Sequence, residues 1–336
     1  MKHCPAAKVL LALISAIVQS AGPARAQAAH NSSVSVQSAQ RQFDAGNYSG
    51  AITTLQPSVQ QNSADALAHY WVGRSYYELR DFDQAVSHLE KATQLDPQSS
   101  LYHQWLGRAY GGKADREHSF TVARKVKKEF EEAVKLNSSN IAARRDLEEF
   151  CIDAPWIVGG SKDEARRQVE AIAVIDPVEG HLAWATFYLG TLKKPDLADN
   201  EYRLILDARP NRIEPYLEAA DFYRRQNKPA DLETFIDAAS KASPSDPRLA
   251  FYRGVQRVLS SRDQSRAEEY LKSYLASTPE RSEWPSHAAA REWLGRLYEA
   301  EGKRAEAAEQ YRAALQIDPG RKEARTRLER LEKAAR

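Results

Sequence analysis

Three histidines are the residues whose type and spacing come closest to a chemical site. His69, His103 and His181 stand at corresponding places near the starts of predicted helices, and imidazole is a common zinc ligand and proton carrier. Ligands of one zinc ion must all approach it to about 2.0–2.3 Å, whereas equivalent residues of neighbouring helix pairs lie about 10 Å apart. We therefore expect packed, hydrogen-bonded core histidines, with no metal and no cofactor.

The other reactive residue types form no catalytic motif either. The chain lacks the H-E-x-x-H and G-x-S-x-G motifs and a glycine-rich phosphate loop. Of its two cysteines, Cys4 and Cys151, the first lies in a segment predicted to be removed. One remaining thiol excludes an intramolecular disulfide and a cysteine-based zinc site. We expect Cys151 to belong to the core and the protein not to be an enzyme.

Composition narrows the classes of partner. The 336-residue chain carries 48 Lys and Arg against 46 Asp and Glu, a net charge of +2. Such a balance provides no broad field of one sign to hold a polyanion, so nucleic-acid binding is disfavoured. A hydrophobic content of 42% is sufficient for a packed core.

The first 26 residues have the pattern of a secretory signal peptide. Lys2 and Lys8 precede an apolar run at 9–18, and Ala24-Arg25-Ala26 forms an A-x-A cleavage signal. A run of about ten residues is too short to cross about 30 Å of hydrocarbon; the alternative is an uncleaved anchor. We predict cleavage after Ala26 and a periplasmic or secreted protein, from a Gram-negative bacterium, with no membrane span in the mature chain.

A 34-residue period organises the rest of the chain. Its most visible motif occurs as Trp71-Val72-Gly73, Trp105-Leu106-Gly107 and Trp293-Leu294-Gly295. Within each unit, apolar residues recur at helical spacing in two segments, and a proline closes the unit. This pattern resembles the tetratricopeptide repeat family. The resemblance implies an all-α, right-handed superhelical solenoid of antiparallel helix pairs, in which each pair covers the exposed face of the next.

The terminal prolines divide residues 27–321 into about eight helical hairpins. We predict them at 32–65, 66–99, 100–139, 140–177, 178–211, 212–245, 246–280 and 288–321. The last two terminal prolines, Pro279 and Pro319, are 40 residues apart instead of 34. Residues 322–336 are predicted to form a polar helix that caps the last open face.

Two neighbouring hairpins depart from the repeat. The third carries about seven extra residues within 111–120, followed by basic residues at 124–128, and the fourth has 154–160 where a tight turn is expected. Equivalent turns follow one another along one edge of such a stack, so the two insertions should touch. One interpretation is a satellite cluster of Phe120, Trp156 and Ile157. The other is a docking site for an envelope protein at the 111–128/154–160 edge, with mobile glycines.

The resemblance also implies a concave groove. In tetratricopeptide arrays the first helix of each hairpin lines a face that usually holds an extended peptide or a helix of another protein. The predicted partner-binding residues, including Trp156 at the edge, are Tyr70, Arg74, Tyr77, Gln104, Arg108, Arg144, Trp156, Tyr216, Tyr223 and Arg224. Since tyrosine and arginine dominate, we predict an acidic or carboxylate-bearing peptide. The alternative is that Arg74 and Arg108 are solvated and paired with local glutamates.

Two functions remain open at this point. The first is a non-enzymatic scaffold of the bacterial cell envelope that binds one or more envelope proteins or extended peptides. The second is a glycan- or peptidoglycan-associated component of cell-wall or exopolysaccharide machinery, with a saccharide chain in an aromatic groove.

Overall fold

The computed structural model describes residues 23–61 and 64–334, and these form helices and turns without a strand. The helices are α1 (Pro23–Asp44), α2 (Tyr48–Gln61), α3 (Ala66–Glu78), α4 (Phe82–Leu95), α5 (Ser100–Glu117), α6 (Phe120–Leu136), α7 (Ile141–Asp153), α8 (Lys162–Ile175), α9 (Pro177–Phe187), α10 (Pro195–Ala208), α11 (Glu214–Arg225), α12 (Pro229–Ala242), α13 (Arg248–Ser260), α14 (Gln264–Ser277), α15 (His287–Ala300), α16 (Arg304–Ile317) and α17 (Lys322–Ala334). The predicted signal peptide lies outside the described residues, apart from 23–26 at the start of α1.

Helix starts follow from the local sequence. Asp65, Ser99 and Asn140 each accept a hydrogen bond from a backbone N–H of the first turn and so satisfy a donor that has no partner within the helix. Pro177 and Pro229 occupy first-turn positions, where a missing N–H has no cost.

Small residues set the distance between the two helices of a pair. A Cβ on Gly107 of α5 would lie 2.5 Å from the Phe130 ring of α6, and one on Gly295 of α15 would lie 2.5 Å from the Tyr311 ring of α16. Only hydrogen fits at these contacts, so the backbone of one helix packs directly on an aromatic ring of the next.

The core runs along the stack from the first pair to the last helix. Buried residues of successive pairs form contiguous clusters, of which the largest extends from α9 to α15. At the carboxyl end, Ala324 and Leu331 of α17 pack with Tyr298 and Tyr311 of the last pair. The all-α solenoid of antiparallel helix pairs that the sequence predicts is confirmed. Cys151 is buried, as expected.

The extra residues of the third pair do not form a mobile loop, which corrects the prediction for 111–120. Helix α5 has 18 residues and α6 has 17, whereas α3 has 13 and α4 has 14. Gly111 and Gly112 lie inside α5, because the insertion extends the regular backbone hydrogen bonding of both helices. In the fourth pair, 154–161 forms a short connection with a single 3₁₀ turn, Trp156–Val158.

Candidate functional site

A large cavity lies on the inner side of the stack. Its volume is about 1440 Å³, and it is lined by residues of α3, α5, α6, α7, α9 and α11 and by a loop that precedes α15. We call it the inner cavity. Because six helices from five successive pairs contribute, the cavity exists only in the assembled array.

The loop that completes the inner cavity is residues 278–286, which we call the closing loop. It connects the seventh pair to the eighth but also contacts the turn between α1 and α2. The Tyr48 hydroxyl donates a hydrogen bond to the Glu280 carbonyl at 2.6 Å, and the Arg281 guanidinium donates to the Asp44 carbonyl. The first pair is therefore in direct contact with the loop that follows the seventh pair.

The middle of the closing loop reaches the second and third pairs. Ser282 donates to the Glu78 carboxylate through its backbone N–H at 2.8 Å and through its hydroxyl at 3.0 Å. The Arg108 guanidinium donates to Glu283 at 2.7 Å. A second, smaller cavity lies beside the loop and shares Tyr77, Arg108, Gly111, Asp115 and Ser282 with the inner cavity. The closing loop thus crosses the inner side of the stack.

Carboxylates outnumber guanidinium groups on the wall of the inner cavity. The arginines are Arg108, Arg145 and Arg212. The acidic residues are Asp115, Asp146, Glu149, Asp153, Glu179, Glu214, Glu218 and Glu283. The cavity wall is therefore acidic, although the whole chain is nearly neutral.

Each of the three arginines is already paired. Arg108 contacts Asp146 at 2.8 Å in addition to Glu283. Arg145 donates to both oxygens of Glu218, at 2.7 and 3.0 Å. Glu179 accepts from Arg145 as well, at 3.3 Å.

Arg212 completes this network at its other end. It contacts Glu179 at 2.9 Å and Asp176 at 2.8 Å. The network fixes the positions of α7, α9 and α11 relative to one another, and it pairs the charge of all three guanidinium groups of the inner cavity with carboxylates of the same chain.

Apolar side chains form the part of the inner cavity next to α6 and the connection after α7. Phe120, Phe150 and Pro155 line it there, and Phe120 is 61% exposed. Leu182 of α9 adds to the same wall. The cavity therefore combines an apolar region with carboxylates, a combination typical of ligand sites.

The basic residues that follow the first insertion contact the second insertion. The Lys127 ammonium donates to the Gly159 carbonyl at 2.9 Å, and Arg124 donates to the Ile157 carbonyl at 3.4 Å. Ala154, Pro155 and Val158 of the connection also line the inner cavity. The predicted edge and the predicted groove are thus parts of one site. Trp156 lies at this edge and is 83% exposed.

Of the predicted groove residues, the inner cavity brings together Tyr77 and Arg108. Arg74 instead stacks among aromatic rings, 4.0 Å from the centre of the Trp105 ring and 4.7 Å from that of Phe43. Arg224 forms an ion pair with Asp221 on its own helix. These two arginines hold local structure.

Four of the predicted groove residues are buried, which corrects the expectation that they line an open surface. They are Tyr70, Gln104, Tyr216 and Tyr223. Tyr223 is fully buried against Phe235 of the paired helix α12. Gln104 donates to Asp146 and so joins α5 to α7.

Arg144 is a further correction. Its guanidinium donates to Gln168 of α8 at 2.6 Å and to the Ser138 carbonyl at 2.7 Å, so it faces its paired helix. The next residue, Arg145, occupies the cavity wall. Sequence reasoning also missed the closing loop, although the spacing of 40 residues between Pro279 and Pro319 was the signal of an inserted segment.

The three histidines are hydrogen-bonded within their own helix pairs, as predicted. His103 contacts Glu129 at 2.6 Å and His181 contacts Glu201 at 2.7 Å. His69 and His88 approach each other at 3.0 Å through their Nδ1 atoms. Within residues 23–61 and 64–334, no group of three or more His, Cys, Asp or Glu side chains is arranged to hold a metal ion.

Comparison with known proteins supports this architecture. A family model described as tetratricopeptide repeat matches residues 36–110 and 255–322. Together with the 34-residue period and the stacked pairs, this match shows that these two segments are similar to tetratricopeptide repeats. Proteins of this family are generally non-enzymatic scaffolds. No match was found among curated proteins.

Among solved structures, two tetratricopeptide repeat proteins align with this chain. A tetratricopeptide repeat protein from Parabacteroides merdae is 14% identical, with 77% of this chain and 96% of that chain covered and a TM-score of 0.48. A thermophilic tetratricopeptide repeat protein from Thermus thermophilus is also 14% identical, with 68% and 98% covered and a TM-score of 0.44. Within the described residues, no helix has both the length and the apolar character needed to span a bilayer.

Proposed function

We propose that this protein is a non-enzymatic scaffold that holds a segment of another polypeptide in the inner cavity. The observation that carries the proposal is the cavity itself, about 1440 Å³ and built by five successive helix pairs and the closing loop. Its apolar region provides area to bury, and its polar groups can fix the orientation of a bound chain. The partner's side chains would enter beside Phe120, at the edge formed by 154–160.

The charge of the inner cavity revises the expected partner. The sequence pattern predicts an acidic peptide because it places free arginines on the concave face. Arg108, Arg145 and Arg212 are each paired with carboxylates of the same chain, so an acidic peptide would gain little from them and would be repelled by the surplus carboxylates at a cost. A neutral or basic segment avoids that cost.

A cavity-filling variant tests the proposal. Peptides that bind the protein are first selected from a displayed library of random dodecapeptides. Ala142, an exposed residue of α7 that lines the inner cavity, is then changed in Ala142→Trp, while Val174→Trp adds the same ring at an 86% exposed position of α8. We expect Ala142→Trp to abolish binding measured by fluorescence anisotropy and Val174→Trp to leave it intact. Equal binding to both variants would exclude the inner cavity as the site.

We propose that the protein acts in the bacterial cell envelope after export. The support is the sequence pattern of residues 1–26, with basic residues, an apolar run and an A-x-A signal. Amino-terminal sequencing of the protein isolated from its cells should begin at Gln27. A chain that retains residue 1 would contradict cleavage.

Glycan binding is a weaker candidate. Saccharide rings stack on exposed aromatic faces. Of the predicted aromatic residues, Tyr70, Tyr216 and Tyr223 are buried, whereas Trp156 at the edge is exposed. No specific contact among the described residues favours this function, so we propose polypeptide binding in its place. If the purified protein sediments with peptidoglycan, glycan binding would be favoured over polypeptide binding.

A further inference from the structure

Three carboxylates of the inner cavity have no partner. Asp115, Glu149 and Asp153 line the cavity and are exposed, and in the part of the chain that the structure describes their side chains form neither an ion pair nor a hydrogen bond. The other five acidic residues of the wall are each held by an arginine: Asp146 and Glu283 by Arg108, Glu179 and Glu218 by Arg145, and Glu214 by Arg248. The surplus of negative charge is therefore concentrated in these three groups.

Two helices of neighbouring pairs carry the three groups into the inner cavity. Glu149 and Asp153 are four residues apart on α7, which places them on one face of that helix. Asp115 lies near the end of the lengthened α5, in the part that the insertion adds. The side chain of Glu149 is accessible from the cavity, but the surrounding protein reduces its hydration and so raises its pKa; the nearby carboxylates of Asp146, Glu218 and Asp153 raise it further, against the lowering effect of Arg145. Like charges thus already repel one another at this place.

Apolar surface adjoins the carboxylates. Phe150 follows Glu149 on α7, Pro155 follows Asp153 by two residues, and both line the cavity. Phe120, just beyond the end of α5, completes the apolar surface and is largely exposed for a side chain of its type. An occupant with a cation and an apolar group side by side would satisfy both kinds of surface.

We propose that the inner cavity recognises a basic polypeptide segment in which lysine or arginine side chains alternate with apolar ones. This inference rests on the proposed function and specifies its partner. The cations would pair with Asp115, Glu149 and Asp153, while the apolar side chains pack on Phe120, Phe150 and Pro155. Complementary charge in a concave site strengthens attraction and speeds encounter. A polypeptide is favoured over a small cation because the cavity is long enough to involve five helix pairs.

The peptides selected in the preceding experiment provide the probe. We expect them to be enriched in lysine and arginine next to leucine or phenylalanine, and we expect replacement of their basic residues by glutamate to abolish binding. Raising the salt concentration from about 0.05 M to about 0.5 M should weaken binding, because salt screens exposed ion pairs.

Two matched triple variants locate the charge effect. The first is Asp115→Asn with Glu149→Gln and Asp153→Asn. The second, Asp207→Asn with Asp237→Asn and Glu269→Gln, removes three exposed acids that line neither cavity and form no ion pair in the described residues. We expect the first to lower peptide affinity by about tenfold, as three exposed pairs would, and the second to change it by less than about twofold.

The outcomes separate this inference from the proposed function. Peptides that lose binding in Ala142→Trp but are acidic or uncharged would overturn the basic partner and leave the cavity as the binding site. Equal losses in the two triple variants would also overturn it, since general electrostatics would then explain the attraction. Peptides that bind Ala142→Trp normally would contradict the proposed function itself.

Discussion

Two glutamates are buried in the described part of the chain, and they differ in whether a partner compensates the carboxylate charge. Glu292 is paired with Arg321 at 2.7 Å. Glu148 on α7 is 1% exposed, and neither of its carboxyl oxygens has a hydrogen-bond partner among the described residues. Burial raises the pKa of Glu148 to about 9, and the nearby Arg145 only partly opposes this effect. Glu148 is therefore protonated in the folded protein at neutral pH.

This protonation makes stability depend on pH. Unfolded, Glu148 titrates near its ordinary pKa of 4.5, so between that pH and about 9 unfolding releases a proton and the free energy of unfolding falls as pH rises. Glu148→Gln keeps the size and removes the titration. We expect the wild type to lose about 4 kcal/mol relative to this variant between pH 5 and pH 8, measured by urea unfolding. A difference that stays constant with pH would show that Glu148 is ionised when folded.

A single residue position separates the predicted groove from the observed one on α7. The sequence pattern selects Arg144, whereas Arg145 lies on the cavity wall. Successive residues of a helix point about 100° apart, so an error of one position moves a side chain from the groove to the paired helix. The Trp-x-Gly motif fixes the register of α3, α5 and α15, and α7 lacks it. At this place on α7 the sequence predicts an arginine, but it does not show which of the two adjacent arginines faces the cavity.

Helix α5 contains three glycines with different surroundings. A Cβ on Gly107 would lie 2.5 Å from the Phe130 ring, and one on Gly112 would lie 2.4 Å from the Phe82 ring, whereas one on Gly111 would meet no atom within 4 Å. The first two glycines allow close packing on neighbouring helices. Gly111 has no such role and costs helix stability without compensation.

Alanine substitutions should therefore have opposite effects within one helix. Gly111→Ala should raise the free energy of unfolding by about 0.5–1 kcal/mol, because alanine restricts the unfolded chain and favours helix. Gly107→Ala and Gly112→Ala should lower it by about 1–3 kcal/mol, because the methyl group forces the aromatic rings to move. Urea unfolding of the three variants under one condition gives the comparison. The same sign for all three would contradict the packing described for α5.

The elements themselves were largely predictable from the sequence. The 34-residue period and the terminal prolines are local signals, and they specify where helices alternate. The pair of glycines at 111 and 112 favours a loop because glycine weakens helices, but packing against Phe82 outweighs that preference. In α11, the groove face consists of Glu214 and Glu218, whereas the predicted tyrosines pack into the core because burial of a large ring is more favourable than its exposure.

At the scale of the whole molecule, the closing loop joins parts of the chain that are far apart in sequence. Ser282 and Glu78 are separated by 204 residues. In an ordinary solenoid each pair contacts only its neighbours, so that the ends unfold independently of one another. Here the first three pairs are also held by the segment between the seventh and eighth pairs.

Removing the contact should loosen the first pairs selectively. Glu78→Ala deletes the acceptor of both Ser282 hydrogen bonds, which together contribute about 1–3 kcal/mol. We expect faster backbone hydrogen exchange in α1, α2 and α3 and no change in α9 to α12. The control is Asp237→Asn, which alters an exposed acid of α12 that lies outside the closing loop and the helices it contacts. Uniformly faster exchange in all helices would instead indicate a general loss of stability.

The closing loop could not be placed from the sequence. The wider spacing between Pro279 and Pro319 indicates extra residues, but their destination depends on the curvature accumulated over seven pairs. Each pair contributes a small rotation that no local pattern encodes, and their sum decides whether residue 282 meets residue 78 or solvent. Contacts that depend on such a sum appear only when the whole array is assembled.

The hydrogen bonds between Ser282 and Glu78 link the second helix pair to the loop after the seventh pair, so this part of the chain forms a closed ring. A partner polypeptide that is folded on both sides of its binding segment cannot enter a closed ring from the side. In the proposed function, such a partner enters either by passing a free terminus through the ring or after the hydrogen bonds between Ser282 and Glu78 break. We therefore expect a partner segment with a free terminus to bind quickly. An internal segment of the same composition should bind no faster than the contact between Ser282 and Glu78 opens.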